Sequence, residues 1–363
     1  MNKQVCFFVI DITLKGGVER FVSNLARSLS GDGFNVAIYS FHKTYDKPLY
    51  VFPENVEIIY LSNISFRPFL YKFVTFWSCA KLRQSLKSYR NKFVAISTHP
   101  ITTIFLYFLY RDVLGRTIAS EHSTYLAHNK AIRLLRLVAY KHVRNVVTQT
   151  EDGVKRFALG GLAATRIANP TTIFNDTRQW PNEVAVGSRD TFTCLSIARF
   201  EQVKQLHHYI ETARLVHEIE PQIQFVLVGS GPLESYLKEL ISTHSLSEVF
   251  SIFPPTPQVN CYYASSDAYI ITSSSEAFPM TVLEALSFAV PVISYDRLVG
   301  PAEIIIDNSN GYLCDQDCPD AIARRILGLY YDRDLLTIMR RNALESSLQF
   351  RPENISKEWA KLL

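Results

Sequence analysis

The sequence lacks the features that mark several classes of protein. None of its apolar runs reaches the ~18 residues of a membrane-spanning helix, so a helical integral membrane protein is not expected. Its six cysteines, Cys6, Cys79, Cys194, Cys261, Cys314 and Cys318, are scattered and form no pair of CxxC motifs. That argues against a disulfide framework and against a structural zinc site. There is no internal repeat and no low-complexity tract, which excludes solenoids and arrays. No zinc-finger, RRM or clear helix-turn-helix signature is present, which argues against a nucleic-acid partner. The first residues, Met1-Asn-Lys-Gln4, run straight into a strand-like segment without a small-residue cleavage site. No signal peptide is therefore expected, and the expected compartment is the cytoplasm.

What is present is an ordinary globular composition, 47% hydrophobic and 20% charged over 363 residues. At ~100–200 residues per domain this predicts two domains, each long enough to bury a core. The net charge of +4 conceals an asymmetry. Residues 1–180 hold 24 Lys and Arg against 11 Asp and Glu, and residues 181–363 hold 14 against 23. A basic half joined to an acidic half points to an anionic partner for the first half, either a nucleic acid or an anionic membrane surface. Drift in surface charge is the bland alternative.

Short apolar, β-rich runs alternate with helix-length stretches. In the first half the expected strands are Val5–Asp11, Asn35–Phe41, Val56–Leu61, Phe93–Thr98, Thr117–Glu121 and Asn145–Thr150, with a Gly16-Gly17 turn and a helix to about Leu29 after the first. The rhythm restarts with Phe192–Ala198, Gln224–Val228, Val249–Phe253, Ala268–Thr272 and Pro291–Tyr295. Continuous apolar strands with helical spacers indicate parallel sheets, so two successive doubly wound α/β domains are expected. Ile167-Ala-Asn-Pro170 reads as a strand ending in a turn, because the residue before a proline is pushed out of the helical region. The expected boundaries are a first domain over 1–172, a linker over 173–190, a second domain over 191–347, and a C-terminal helix over 348–363 crossing back to the first domain.

The sharpest chemical signal is Ser273–Phe288, which follows the strand Ala268–Thr272 and carries two acids, Glu276 and Glu284. Pro279 suits the first turn of a helix. Glu276 would then lie in the loop and Glu284 in the helix, while the backbone N–H groups of Met280 and Thr281 would face a phosphate. Carboxylates beside such a site accept hydrogen bonds from sugar hydroxyls. The alternative is that Glu276 caps the helix and Glu284 lies on a solvated face.

This segment resembles the E-x7-E signature of retaining glycosyltransferases of the GT-B fold, specifically glycosyltransferase family 4 of the bacterial polysaccharide or lipopolysaccharide type. Arg199 and Lys204 resemble the family's cationic pair, and Gly229-Ser-Gly-Pro232 its next strand–turn. Pro291-Val-Ile, Gly300-Pro-Ala-Glu303, Asn310-Gly311 and Gly16-Gly17-Val-Glu-Arg20 continue the pattern. The resemblance covers nearly the whole chain. It implies two Rossmann-like domains facing a cleft, a nucleotide-sugar donor (UDP by frequency), and a glycan acceptor, lipid-linked, at the inner face of the cytoplasmic membrane. It implies retention of configuration with no cofactor and no metal. Arg199 and Lys204 would stabilise the leaving diphosphate, which gains charge at the transition state. Glu276 with Ala277, Phe278 and Pro279 would hold the donor sugar, Glu284 the ribose, and His122 would lie near the transferred sugar. Gly16, Gly17 and Gly229 would let backbone approach the donor. Ala277, Gln205 and Ala289 stand where the family often has Gly, and Pro254 where a Gly is common.

Other candidates are weaker. His99 follows a strand as His122 does, and the pair His207-His208 reads as surface. Asp315–Asp317 and Asp332–Asp334 match Asp-x-Asp but read as turn and cap residues. Phe66–Lys92 and Ala131–Val146 interleave cations with aromatic or aliphatic residues, as a membrane-surface segment does; the second reads as a helix with Leu134, Leu135, Val138 and Val143 against Arg133, Arg136, Lys141 and Arg144. A sugar-nucleotide epimerase of the same fold and a non-catalytic nucleic-acid binder are the rival expectations.

Overall fold

The computed structural model describes residues 3–89, 92–171, 191–256, 258–296 and 299–363. The expected linker, 173–190, lies outside these residues, as does Arg90. The chain divides into two compact units, one of residues 3–171 with Phe350–Leu363 and one of residues 191–349.

The first unit has strands β1 (Gln4–Val9), β2 (Asn35–Ser40), β3 (Val56–Tyr60), β4 (Phe93–Ser97), β5 (Thr117–Glu121), β6 (Asn145–Thr148) and β7 (Thr165–Arg166). They form one parallel sheet in the order β3-β2-β1-β4-β5-β6-β7. The second unit repeats the plan with β8 (Thr193–Ile197), β9 (Gln224–Val228), β10 (Phe250–Phe253), β11 (Ala268–Ile271), β12 (Val292–Tyr295) and β13 (Gly311–Cys314). Its order is β10-β9-β8-β11-β12-β13, again parallel throughout. Each is a doubly wound, Rossmann-like sheet covered by helices. The central strands are apolar because both faces are covered: Val5 to Val9 and Ala268 to Ile271 are all buried.

Three sequence expectations need correction. β7 lies at Thr165–Arg166, just before the apolar Ile167-Ala168, because Ile167 turns out of the ladder after bonding the Thr148 carbonyl. β13 carried no run long enough to be read as a strand. The helix expected over Ala131–Val146 runs only from Lys130 to Tyr140, since Asn145 onward pairs with β5.

The C-terminal helix Pro352–Ala360 packs on the helix Gly17–Gly31 of the first unit, with Trp359 fully buried and its ring 6.0 Å from that of Phe21. The Thr171 N–H donates to the Phe350 carbonyl where the chain re-enters that unit.

Candidate active site

In a doubly wound sheet, ligands bind at the carboxyl ends of the strands where the order reverses. In the second unit that point lies between β8 and β11. The loop after β8 carries Arg199 to Gln205, and the loop after β11 carries Thr272 to Pro279. The structure ties the two loops together. Lys204 Nζ lies 2.6 Å from Glu276 Oε1, and the Ser273 hydroxyl donates to the same oxygen at 2.7 Å. The Thr272 hydroxyl donates to the Lys204 carbonyl at 3.0 Å, and the Ser274 N–H to the Val203 carbonyl at 2.8 Å. Tyr269 Oη donates to the Ile197 carbonyl between the parent strands. The Lys204 and Glu276 side chains are 20% and 13% exposed. This is a cation and a carboxylate, sheltered but reachable, at the switch point.

Glu276 therefore does not cap a helix. The helix Met280–Ser287 follows Pro279, which sits at the cap with φ −72° and, having no polar side chain, offers no cap to the first N–H groups of Met280 and Thr281, which have no partner within the helix. Pro279 thus stands one residue before the helix rather than in its first turn. Glu284 is not on a solvated face either. It is buried, and its Oε2 accepts from Tyr263 Oη at 2.9 Å.

Arg199 is placed differently from its expected partner. It is 69% exposed and donates through one guanidinium nitrogen to Glu201 at 2.8 Å, rather than to Glu276 as Lys204 does.

Two glycines shape the site by close approach. A Cβ on Gly229 would stand 1.9 Å from the Ala198 carbonyl oxygen, and one on Gly300 would stand 2.2 Å from that of Ala277. Gly229 thus lets the turn after β9 lie against the Arg199 loop, and Gly300 fixes the backbone of Ala277 and Phe278. Gln205 and Ala289, at two of the family's glycine positions, both have left-handed backbone, φ +44° and +56°.

In the first unit the reversal lies between β1 and β4. Gly16 is the cap of the helix Gly17–Gly31 and offers no side chain there. Behind it, buried Asp11 accepts from the Thr13 hydroxyl and the Thr44 hydroxyl, both at 2.6 Å, while Thr44 Oγ1 takes the Phe66 N–H. Three loops are thereby pinned at one edge, and no spacing in the sequence announced it. His99 caps the helix Pro100–Leu109, with Nδ1 accepting from the Ile101 N–H at 3.2 Å. His122 lies 2.9 Å from the Ser120 hydroxyl with its ring 4.2 Å from that of Phe21. Burial pulls both imidazoles down to a pKa of about 3, so both are neutral. His128, on the loop after β5, has its ring 5.8 Å from that of His99.

Arg136, expected on a membrane-facing helix surface, is fully buried. It pairs with Glu121 at 2.6 Å, bonds the Tyr125 carbonyl and stacks on Tyr125 and Phe157, while Tyr140 donates to the other Glu121 oxygen. His208, expected at the surface, bonds Tyr295 Oη at 3.0 Å through Nδ1. Asp332 caps the helix Arg333–Ser347 through the Leu335 N–H, and Asp317 accepts from Gln205. Among the described residues no group of three potential metal ligands converges.

Residues 181–346 match the family described as Glycosyl transferases group 1, and residues 15–168 match Glycosyltransferase Family 4. The chain is a glycosyltransferase. This sets aside the epimerase and the non-catalytic binder. An uncharacterized glycosyltransferase of Haemophilus influenzae is 24% identical over 99% of this glycosyltransferase and 100% of that protein. The amylovoran biosynthesis glycosyltransferase AmsD of Erwinia amylovora is 25% identical over 97% of each chain. Among solved structures, Anabaena HepE in complex with UDP aligns with a TM-score of 0.76 at 16% identity, covering 99% of this chain and 98% of that one. The enzyme thus has the GT-B fold, two Rossmann-like units in one chain.

Proposed function

We propose that this glycosyltransferase takes its sugar from a nucleotide-diphosphate sugar, UDP-linked, and passes it with retention of configuration to a glycan acceptor carried on lipid. The work belongs to cell-surface polysaccharide synthesis at the inner face of the cytoplasmic membrane. The Lys204–Glu276 pair at the switch point of the second sheet, with Glu276 on the loop before a helix whose first turn has no side-chain cap, carries this reading. Its relatives agree with it: one is named for amylovoran biosynthesis and one neighbour was solved with UDP.

In this reading Lys204, Arg199 and the N–H groups of Met280 and Thr281 receive the diphosphate. Donor binding divides Lys204 between Glu276 and the phosphates and draws Arg199 from Glu201. Glu276, held by Ser273, and the backbone of Ala277 to Pro279 take the sugar hydroxyls. Glu284, oriented by Tyr263, takes the ribose, which requires the pocket around it to open. Gly16, Gly17 and Gly229 give the donor close approach, and neutral His122 hydrogen-bonds the transferred sugar.

The acceptor hydroxyl attacks C1 from the leaving-group side. The new C1–O bond forms as the C1–O–phosphate bond breaks, and the proton passes to the departing phosphate oxygen. No protein nucleophile takes part. The cationic pair works because charge on the diphosphate grows as the bond breaks.

The test is incubation with a panel of nucleotide sugars, following slow donor hydrolysis and its competition by free UDP, then the anomeric configuration of the product by NMR. Hydrolysis of a UDP-sugar and an axial-to-axial outcome for an α donor are expected. Use of a different base, or an inverted product, overturns the corresponding part.

A further inference from the structure

The first unit carries a surface that the sugar chemistry does not use. Between residues 58 and 150 the sequence has only two carboxylates, Asp112 and Glu121, against fourteen Lys and Arg. Glu121 is buried on Arg136 and Tyr140, and half-exposed Asp112 faces Arg83 at 3.9 Å. The same stretch exposes large apolar side chains. Phe69 is 77% exposed, Phe73 64%, Trp77 62% and Leu134 65%, with Phe108 exposed beside them.

These residues share one layer. The helix Pro100–Leu109 packs against both Tyr71–Leu86 and Lys130–Tyr140, with the Phe76 and Phe105 rings 5.5 Å apart. Right-handed crossovers place all three on one face of the sheet. The helix Lys130–Tyr140 is turned opposite to an ordinary surface helix, with Arg136 inward and Leu134 and Leu135 outward. Solvent-facing apolar groups of this number mark an interaction surface.

We infer that the outer face of this three-helix layer is a bilayer-docking surface, where Phe69, Phe73, Trp77 and Leu134 enter an anionic lipid interface between flanking lysines and arginines. The inference rests on the lipid-linked acceptor proposed above for its purpose, though docking itself needs neither donor nor acceptor. Charge complementarity chooses the occupant. A stretch whose one exposed carboxylate, Asp112, already faces Arg83, and which exposes Lys72, Lys81, Lys130 and Lys141, suits lipid phosphates, and rings such as Trp77 suit the headgroup level. No described helix is long and apolar enough to cross a membrane, so contact is by partial insertion. The layer also reaches the site: Tyr71, on the docking helix, has its ring 6.0 Å from that of His99 at the carboxyl end of β4. A bilayer on this face therefore brings headgroup-level acceptors to that edge.

The experiment is flotation of the full chain with vesicles of equal parts phosphatidylcholine and phosphatidylglycerol, and with phosphatidylcholine alone. Wild type binds the first mixture and barely binds the second. Phe73→Ser with Trp77→Ser lowers partitioning roughly tenfold and abolishes what binding survives high salt, while Lys81→Glu, Arg83→Glu and Lys87→Glu together abolish the salt-sensitive part. In a Trp180→Phe background, only Trp77 and the buried Trp359 remain of the three indoles, and brominated lipids quench Trp77. Unchanged flotation of the serine variant, absence of quenching, or loss of self-association in place of lipid binding overturns the inference, the last by showing that a second copy covers this face. Donor hydrolysis is followed in the same samples and stays at the wild-type level in the variants. Docking without any hydrolysis, wild type included, would fail the proposed reaction and leave the docking surface standing.

Discussion

Lys204 holds a sheltered carboxylate that its expected partner Arg199 does not. It neutralises Glu276 within a sheltered pair, whereas Arg199 lies open on Glu201. Lys204→Ala should cost roughly 2–4 kcal/mol of transition-state stabilisation, and it strips a part-buried carboxylate of its cation, so it should also lower the melting temperature. Arg199→Ala should lose turnover on a similar scale without that stability loss. Steady-state kinetics with thermal denaturation separates the two; wild-type turnover in both variants would leave the cations as surface charge. Glu284→Gln should raise donor KM, since hydrogen bonds to a charged acceptor are worth roughly 1.5–3 kcal/mol, while Glu276→Ala should lower turnover more. Added chelator should leave activity intact, and a loss would reopen Asp315–Asp317 as a metal site. The histidines predict a pH dependence. His99 and His122 have pKa values of about 3, below the ordinary 6.5, because burial penalises the imidazolium. The unfolded chain therefore takes up protons first as pH falls. Stability is full above about 6.5 and falls between there and about 3, by up to roughly 1.4 kcal/mol per pH unit for each histidine. Urea unfolding of wild type and His122→Asn at several pH values in that window should show the slope reduced in the variant.

At the scale of elements, the loops around the site are held by backbone that admits few side chains. Ala289 follows the helix Met280–Ser287 with φ +56°, a conformation strained for a residue with a Cβ. Ala289→Gly should relieve that strain and raise stability by about 0.5–1 kcal/mol after the added chain entropy is counted, read as a shift in denaturant midpoint. Gly300→Ala should do the reverse. Its Cβ would meet the Ala277 carbonyl oxygen at 2.2 Å, so the loop must move, at about 1–3 kcal/mol. A rise in donor KM beyond the stability loss would tie that loop to the sugar; an unchanged KM would detach it. Gln205 is a poorer test of the same strain because its amide also bonds Asp317.

The whole molecule is two units whose chain order is not their spatial membership. The last helix belongs to the first unit, and Trp359 is its anchor, fully buried against Phe21. Trp359→Ala should cost about 3–5 kcal/mol and lower the calorimetric transition of the first unit while leaving that of the second in place. A shift of the second transition alone would contradict the division. The charge asymmetry belongs to this scale as well, because it becomes a surface only once the fold has withdrawn Glu121 and Arg136 from it.

The sequence by itself determined the two parallel sheets, because strands covered on both faces must be apolar along their length, as Val5 to Val9 and Ala268 to Ile271 are. Through its resemblance to glycosyltransferase family 4 it also marked Glu276, Glu284, Arg199 and Lys204, and it singled out Gln205 and Ala289 as replacing glycines, where the backbone proves left-handed. Short β7 and β13 escaped notice, since two to four residues carry too little periodicity. Only the tertiary structure decided how those marked residues pair. Lys204 meets Glu276 from 72 residues away while Arg199 does not join them, and Tyr263 orients Glu284 across packed elements. The Asp11–Thr13–Thr44 knot and the inward turn of Arg136 were likewise invisible. A side chain's partner is set by which loops the strand order brings to one edge and by which face of a helix the core takes. Neither is local to the residues concerned.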